Sequence, residues 1–147
     1  MQRTDIDRSA DAQLAGRLAE ALGDRGPLTG LTPPLRVQII RLGELLELAP
    51  GEPLIREDED AVPEVYVLVE GTLAVRARTG MTARLTRPGD VVGEVAVLLS
   101  SKRTADVVAE DAVRVLAIPA KVLAMPEYAE VSAAIGGAMI RDDWVQY

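Results

Sequence analysis

Between Gly51 and Pro119 the apolar residues come in short runs rich in Val, Leu and Ile, and turn signals stand between them: Glu70-Gly71, Thr79-Gly80, Pro88-Gly89-Asp90 and Glu110-Asp111. Runs this brief are too short for a packed helix of several turns, but they suit strands joined by tight connections. The pattern predicts strands near Pro53–Ile55, Val65–Val69, Thr72–Ala77, Met81–Thr86, Val91–Val92, Ala105–Ala109 and Val113–Ile118. Paired through turns they make an antiparallel unit, a sandwich or barrel of about seven or eight strands. The chain is therefore expected to be mainly β, with helices only at its flanks.

Both flanks change period. Leu14, Leu18, Ala21 and Leu22 recur at helical spacing between Ala10 and Leu22, and Gly23 is a stop signal, so residues 1–26 read as an N-terminal helical extension. Gly26-Pro27 breaks the chain. Thr32-Pro33-Pro34 then opens a second pattern in which Leu35, Ile39, Leu42 and Leu46 fall on one side, which predicts a helix over 32–48. The β unit occupies 50–118. After Pro119, Val122, Leu123 and Met125 form a short segment, Pro126 restarts it, and Val131, Ile135, Ala138 and Met139 share a face, so two helices close 119–147. The Leu14/Leu18/Leu22 stripe fits either a partner surface or packing on the chain's own β unit, and Trp144 and Tyr147 fit an anchor for the last helix better than an aromatic lid.

Composition narrows the chemistry. The 147 residues include no histidine and no cysteine, which excludes thiolate nucleophiles, histidine triads, finger-type zinc sites and disulfides. No metal site and no catalytic residue is expected. The net charge of −7 repels polyanions, no basic stripe offsets it, and one Trp, three Tyr and no Phe make a poor base-stacking surface, so nucleic acid is not an expected partner. No stretch is apolar for long enough to cross a bilayer and the start lacks a leader-like apolar core, so no membrane association and a cytoplasmic location are expected. The acidic run Glu57–Asp60 lacks the ordered spacing of a calcium loop and reads as a solvated connection.

One segment carries chemistry. In Pro88-Gly89-Asp90-Val91-Val92-Gly93-Glu94-Val95-Ala96-Val97-Leu98-Leu99-Ser100-Ser101-Lys102-Arg103-Thr104-Ala105 a glycine delivers a carboxylate, an apolar run long enough for one helical turn follows, and an arginine enters the next strand. Glycine lets the backbone approach a ligand, the free N–H groups opening a helical turn favour an anion, and arginine supplies a charge-assisted fork. Glu94 would repel a phosphate but accepts hydrogen bonds from sugar hydroxyls, so Glu94 with Arg103 describes a ribose carrying a phosphate. The bland alternative is a surface ion pair between the two side chains.

These residues resemble the cyclic nucleotide-binding domain family, whose phosphate-binding cassette has the pattern G-E-x-A-x-L, a short loop, then R-[ST]-A. Gly93-Glu94-Val95-Ala96-Val97-Leu98 and Arg103-Thr104-Ala105 fit it, and the family's other glycines find matches in Pro50-Gly51-Glu52, Glu70-Gly71-Thr72 and Pro88-Gly89-Asp90. The sequence departs from the pattern at Val92, where an aromatic is usual, at Lys102, where proline is usual, and in Arg56–Asp60, which lacks a turn glycine. The resemblance implies a double-stranded β-helix, or jelly-roll, in a domain spanning 27–147. It implies Glu94 on the ribose 2′-hydroxyl and Arg103 on the cyclic phosphate, with Gly93, the amides of Val95 and Ala96, the Thr104 hydroxyl and Ala105 completing the cradle. Val75, Ala83 and Leu85 would face the purine. It further implies a regulatory sensor for cAMP in preference to cGMP, needing no other cofactor, that signals through its C-terminal helices to a protein partner or by self-association. The alternative is an interaction module that keeps the fold without the ligand. A cupin-type enzyme shares the outline but usually holds metal through histidine, of which there is none.

Overall fold

The computed structural model describes residues 1–56, 63–77, 80, 82–93 and 105–141, the last six of these without their side chains. Its elements are β1 (Gln2–Asp5), α1 (Leu14–Ala21), α2 (Pro33–Arg41), β2 (Glu44–Leu48), β3 (Pro53–Ile55), β4 (Glu64–Glu70), β5 (Leu73–Ala77), β6 (Thr82–Leu85), β7 (Val91–Val92), β8 (Ala105–Ala109) and β9 (Val113–Pro119). After β9 come α3 (Ala120–Leu123), a 3-10 turn (Pro126–Tyr128) and α4 (Ala129–Arg141).

The strands form two antiparallel sheets, ordered β1-β2-β9-β4-β7 and β3-β8-β5-β6. Their arrangement follows from which strands are apolar on one face and which on both. β4 is buried from Glu64 to Val69, and β9 is buried over most of its length. Val65, Val67, Val69, Leu116 and Ile118 face a helical layer, while Tyr66, Leu68, Val113, Val115 and Ala117 face the other sheet. A strand covered on both sides reads as a continuous apolar run, which is the sequence Val-Tyr-Val-Leu-Val.

Two cores result. One lies between the sheets, where Leu46, Leu68, Val92 and Val115 meet Leu73, Val75 and Val107. The other lies beneath the helices, where Leu14, Leu18, Leu22, Ile39, Ile40, Leu123, Tyr128 and Val131 cover the outer face of the five-stranded sheet. Each fully buried aliphatic side chain here contributes about 1.5–3 kcal/mol relative to exposure. The Leu14/Leu18/Leu22 stripe thus packs on its own chain. Ser132 ties α4 to α3 by donating from Oγ to the Leu123 carbonyl at 2.6 Å.

The strands expected over 50–118 stand where the sequence placed them, with ends shifted by a residue at four of them. Two flanking expectations are corrected. Residues 32–48 are not one helix: α2 ends at Arg41, the Leu42 and Gly43 amides close on the Ile39 and Ile40 carbonyls, and Glu44–Leu48 is a strand. Leucine favours helices when it stands alone, but Leu45 on one face and Leu46 and Leu48 on the other meet both cores, and β9 offers a full ladder. Nor is 1–26 helical throughout, because Gln2–Asp5 adds β1 to the edge of the five-stranded sheet. That tetrapeptide has no apolar alternation and is held by backbone pairing and by Arg3. The acidic run Glu57–Asp60, Trp144 and Tyr147 lie outside the described residues.

Candidate functional site

Val75, Ala83 and Leu85, the residues expected against the purine, lie together on the inner face of the four-stranded sheet. Val75 pairs with Ala83 on one side and Val107 on the other, and Leu73 likewise joins Leu85 to Ala109. Partners directly opposite in a ladder point the same way, so Val75, Ala83, Leu85 and Ala105, the last opposite Ala77, share one face. Val75 and Ala105 are buried there, while Ala83 and Leu85 are only partly covered and lie on the edge strand β6. The result is an aliphatic wall that is closed at its centre and open at its β6 margin.

The cassette leaves the other sheet at β7. Val91 and Val92 pair with Val67 and Tyr66, and Gly93 follows, buried, at φ +90°. An L side chain rarely adopts that conformation, so the backbone at this position calls for glycine. Gly93 and Ala105 thus bracket the segment expected to hold the ligand. Glu94, Val95, Ala96, Arg103 and Thr104 lie outside the described residues.

The turn before β7 is pinned from both sides. Gly89 N–H donates to the Leu68 carbonyl at 2.9 Å and Leu68 N–H to the Asp90 carbonyl at 2.8 Å. The Asp90 carboxylate accepts from the Arg87 amide and pairs with the Arg25 guanidinium at 2.5 Å. Gly26 and Gly89, both at positive φ, stand back to back. A Cβ on Gly26 would lie 2.6 Å from the Gly89 carbonyl oxygen, and one on Gly89 would lie 2.2 Å from that of Arg25. The α1–α2 connection is itself braced by Arg36, which donates to the Leu28 and Leu31 carbonyls. No local sequence signal marks Arg25 as a partner of Asp90, because the two are brought together only by the packing of helices on the sheet.

A second polar group lies near the same strand. Glu64, 6% exposed, receives the Arg3 guanidinium at 2.6 Å and 3.3 Å and the Tyr66 hydroxyl at 2.8 Å. Arg3 also reaches Glu44 at 3.2 Å. The hydrogen bond from Arg3 to Glu64 is the main reason the guanidinium holds its proton above its ordinary range. Among the described residues no cluster of three or more acidic side chains could hold a metal, and no helix is long and apolar enough to cross a membrane.

Two antiparallel sheets packed face to face, with helices on one outer face, define a β-roll with flanking helices. The chain belongs to the cyclic nucleotide-binding domain family, whose model matches residues 45–125. No curated protein sequence gives a significant match. Among solved structures the chain is similar to the regulatory subunit of a cAMP-independent protein kinase A from Trypanosoma brucei, with 23% identity, a TM-score of 0.77, and coverage of 88% of this chain and 47% of that one. It is similar to the Trypanosoma cruzi counterpart bound to guanosine, with 25% identity, a TM-score of 0.72, and coverage of 88% and 49%. It is also similar to the regulatory domain of Toxoplasma gondii protein kinase A with cAMP, with 21% identity, a TM-score of 0.68, and coverage of 92% and 51%. The chain spans about half the length of these three structures.

Proposed function

We propose that this domain is a non-catalytic sensor that takes up a cyclic nucleotide, cAMP in preference to cGMP, and passes the event to a protein partner through its C-terminal helices. The observation that carries the reading is the juxtaposition at β7: the cassette motif begins at a buried left-handed Gly93 and ends at Ala105, on the same inner face as the aliphatic wall. In this reading Glu94 accepts from the ribose 2′-hydroxyl, and Arg103 neutralises the phosphate, with the amides of Val95 and Ala96 and the Thr104 hydroxyl beside it. Val75, Ala83 and Leu85 cover the purine. Adenine is favoured because Val75, Ala83 and Leu85, the described residues of the wall, are aliphatic and leave the larger polar edge of guanine to be desolvated without compensation there.

The route outward runs through strands that serve both cores. Tyr66 and Leu68 face the roll, while their neighbours Val65, Val67 and Val69 lie under Val122, Leu123, Tyr128 and Val131. A shift of β7 against β4 is therefore felt by α3, the 3-10 turn and α4, and a helix that repacks presents a different surface to a partner. The kinase regulatory subunits among the similar structures support a protein partner of this kind.

The Trypanosoma cruzi structure with guanosine supports a second reading, in which a nucleoside without the cyclic phosphate fills the roll. Calorimetric titration of the full chain with cAMP, cGMP and guanosine separates the two. The sensor reading expects cAMP to bind most tightly, and expects Arg103→Ala to weaken it at least about 30-fold, the lower end for removing one partner of a buried charge pair. Equal affinity for guanosine, untouched by Arg103→Ala, establishes the second reading. No heat and no thermal shift with any of the three leaves an interaction module without ligand.

A further inference from the structure

Arg3 lies outside the residues matched by the family model, on a strand the sequence did not announce, yet its guanidinium reaches across the sheet to β4, the strand that pairs with β7. The register shows how. Arg3 pairs with Leu46, which faces the inter-sheet core, so Arg3 stands on that same side of the sheet. β2 and β9 separate it from β4, but the row across them is Glu44, Ala117, Tyr66 and Val92. Ala117 offers only a methyl group at this point, which leaves room for the long Arg3 side chain to lie over the sheet and fork onto Glu64. Glu64 in turn takes the hydroxyl of Tyr66, and Tyr66 is the ladder partner of Val92, the residue before Gly93.

We propose that Arg3 is a positioning residue for the nucleotide site: by fixing the Glu64 carboxylate, and through it the Tyr66 hydroxyl, it holds the end of β7 and the Gly93 turn in the geometry that opens the cassette. This rests on the sensor reading of the site but is tested without it. Glu64 is too buried to lose its counter-charge without cost. Loss of the Arg3 fork lets the carboxylate shift, and the shift passes to Tyr66 through the hydrogen bond that Glu64 accepts, and from Tyr66 to its ladder partner Val92. The effect is centred on the sheet, because the contacts of Arg3 and Glu64 among the described residues run to Glu44 on β2 and Tyr66 on β4.

Hydrogen exchange of the unliganded full chain, compared between wild type and Arg3→Met, reads the proposal directly. Exchange at Val91–Gly93 should accelerate about tenfold, as for a coupling of moderate strength, while Leu14–Ala21 and Pro33–Arg41 keep their wild-type rates. Arg3→Lys, which keeps the charge but not the fork, should fall between the two. Titration with cAMP should show a loss of affinity in the same order. Unchanged rates at Val91–Gly93 overturn the proposal, and so does an equal acceleration in every segment, which marks Arg3 as a contributor to global stability alone. Should Arg3→Met not fold, Tyr66→Phe removes only the hydroxyl and must still accelerate Val91–Gly93 selectively. If wild type binds no nucleotide the sensor reading fails, and the exchange contrast still decides whether Arg3 sets this turn.

Discussion

Tyr128 offers a perturbation whose sign runs against intuition. It is fully buried beneath the helices, at the 3-10 turn that joins α3 to α4, and its hydroxyl finds no hydrogen-bond partner among the described residues. A hydroxyl left unsatisfied in an apolar layer costs about 1–3 kcal/mol, whereas the ring contributes through its area, which phenylalanine retains. Tyr128→Phe should therefore stabilise the unliganded domain by at least about 1 kcal/mol, or about 2–4 °C in Tm for a chain of this size. Burial, helped by the neighbouring Glu127, pushes the Tyr128 phenol above its ordinary value near 10. As pH rises past that value the unfolded chain ionises first, so the native state loses stability in alkali, and Tyr128→Phe should show a shallower alkaline decline. Urea unfolding at pH 7 and pH 10.5 measures both. A destabilisation of about 1 kcal/mol or more at pH 7 refutes the reasoning, since it means that the hydroxyl makes a hydrogen bond the native fold depends on.

Two further outcomes bear on the site. Gly93→Ala places a Cβ on a left-handed residue and should cost about 1–2 kcal/mol in urea unfolding together with a loss of cAMP affinity; a variant as stable and as tight as wild type removes Gly93 from the site. Ala83→Trp fills the open β6 margin of the wall, where there is space the core lacks, and should abolish nucleotide binding in calorimetry while leaving Tm within a few degrees of wild type. Undiminished binding would move the purine to another wall.

The roll was legible because its strands carry their own signals. Val113–Pro119 and Glu64–Glu70 are apolar on both faces, and the glycine turns between strands fall where backbone reversal needs them. Val75, Ala83 and Leu85 are placed by register against the family pattern, and the pairing of β5 with β6 sets the three on one face. The flanks were harder because their structure is set from a distance. Glu44–Leu48 has leucines at helical spacing and becomes a strand only because β9 pairs with it. Gln2–Asp5 has no hydrophobic pattern at all, and what holds it, a carboxylate 61 residues away, belongs to the tertiary fold. Arg25 and Asp90 are likewise joined by packing across 65 positions, which no local window reveals.

The account comes down to where a cyclic phosphate sits. A crystal structure of the full chain grown with cAMP should show the phosphate forked by Arg103, the ribose 2′-hydroxyl donating to Glu94 beside the Gly93 turn, and the adenine against Val75 and Ala83. A nucleotide bound elsewhere, or an Arg103 guanidinium paired internally with Glu94 while the wall is filled by the chain's own side chains, would contradict it.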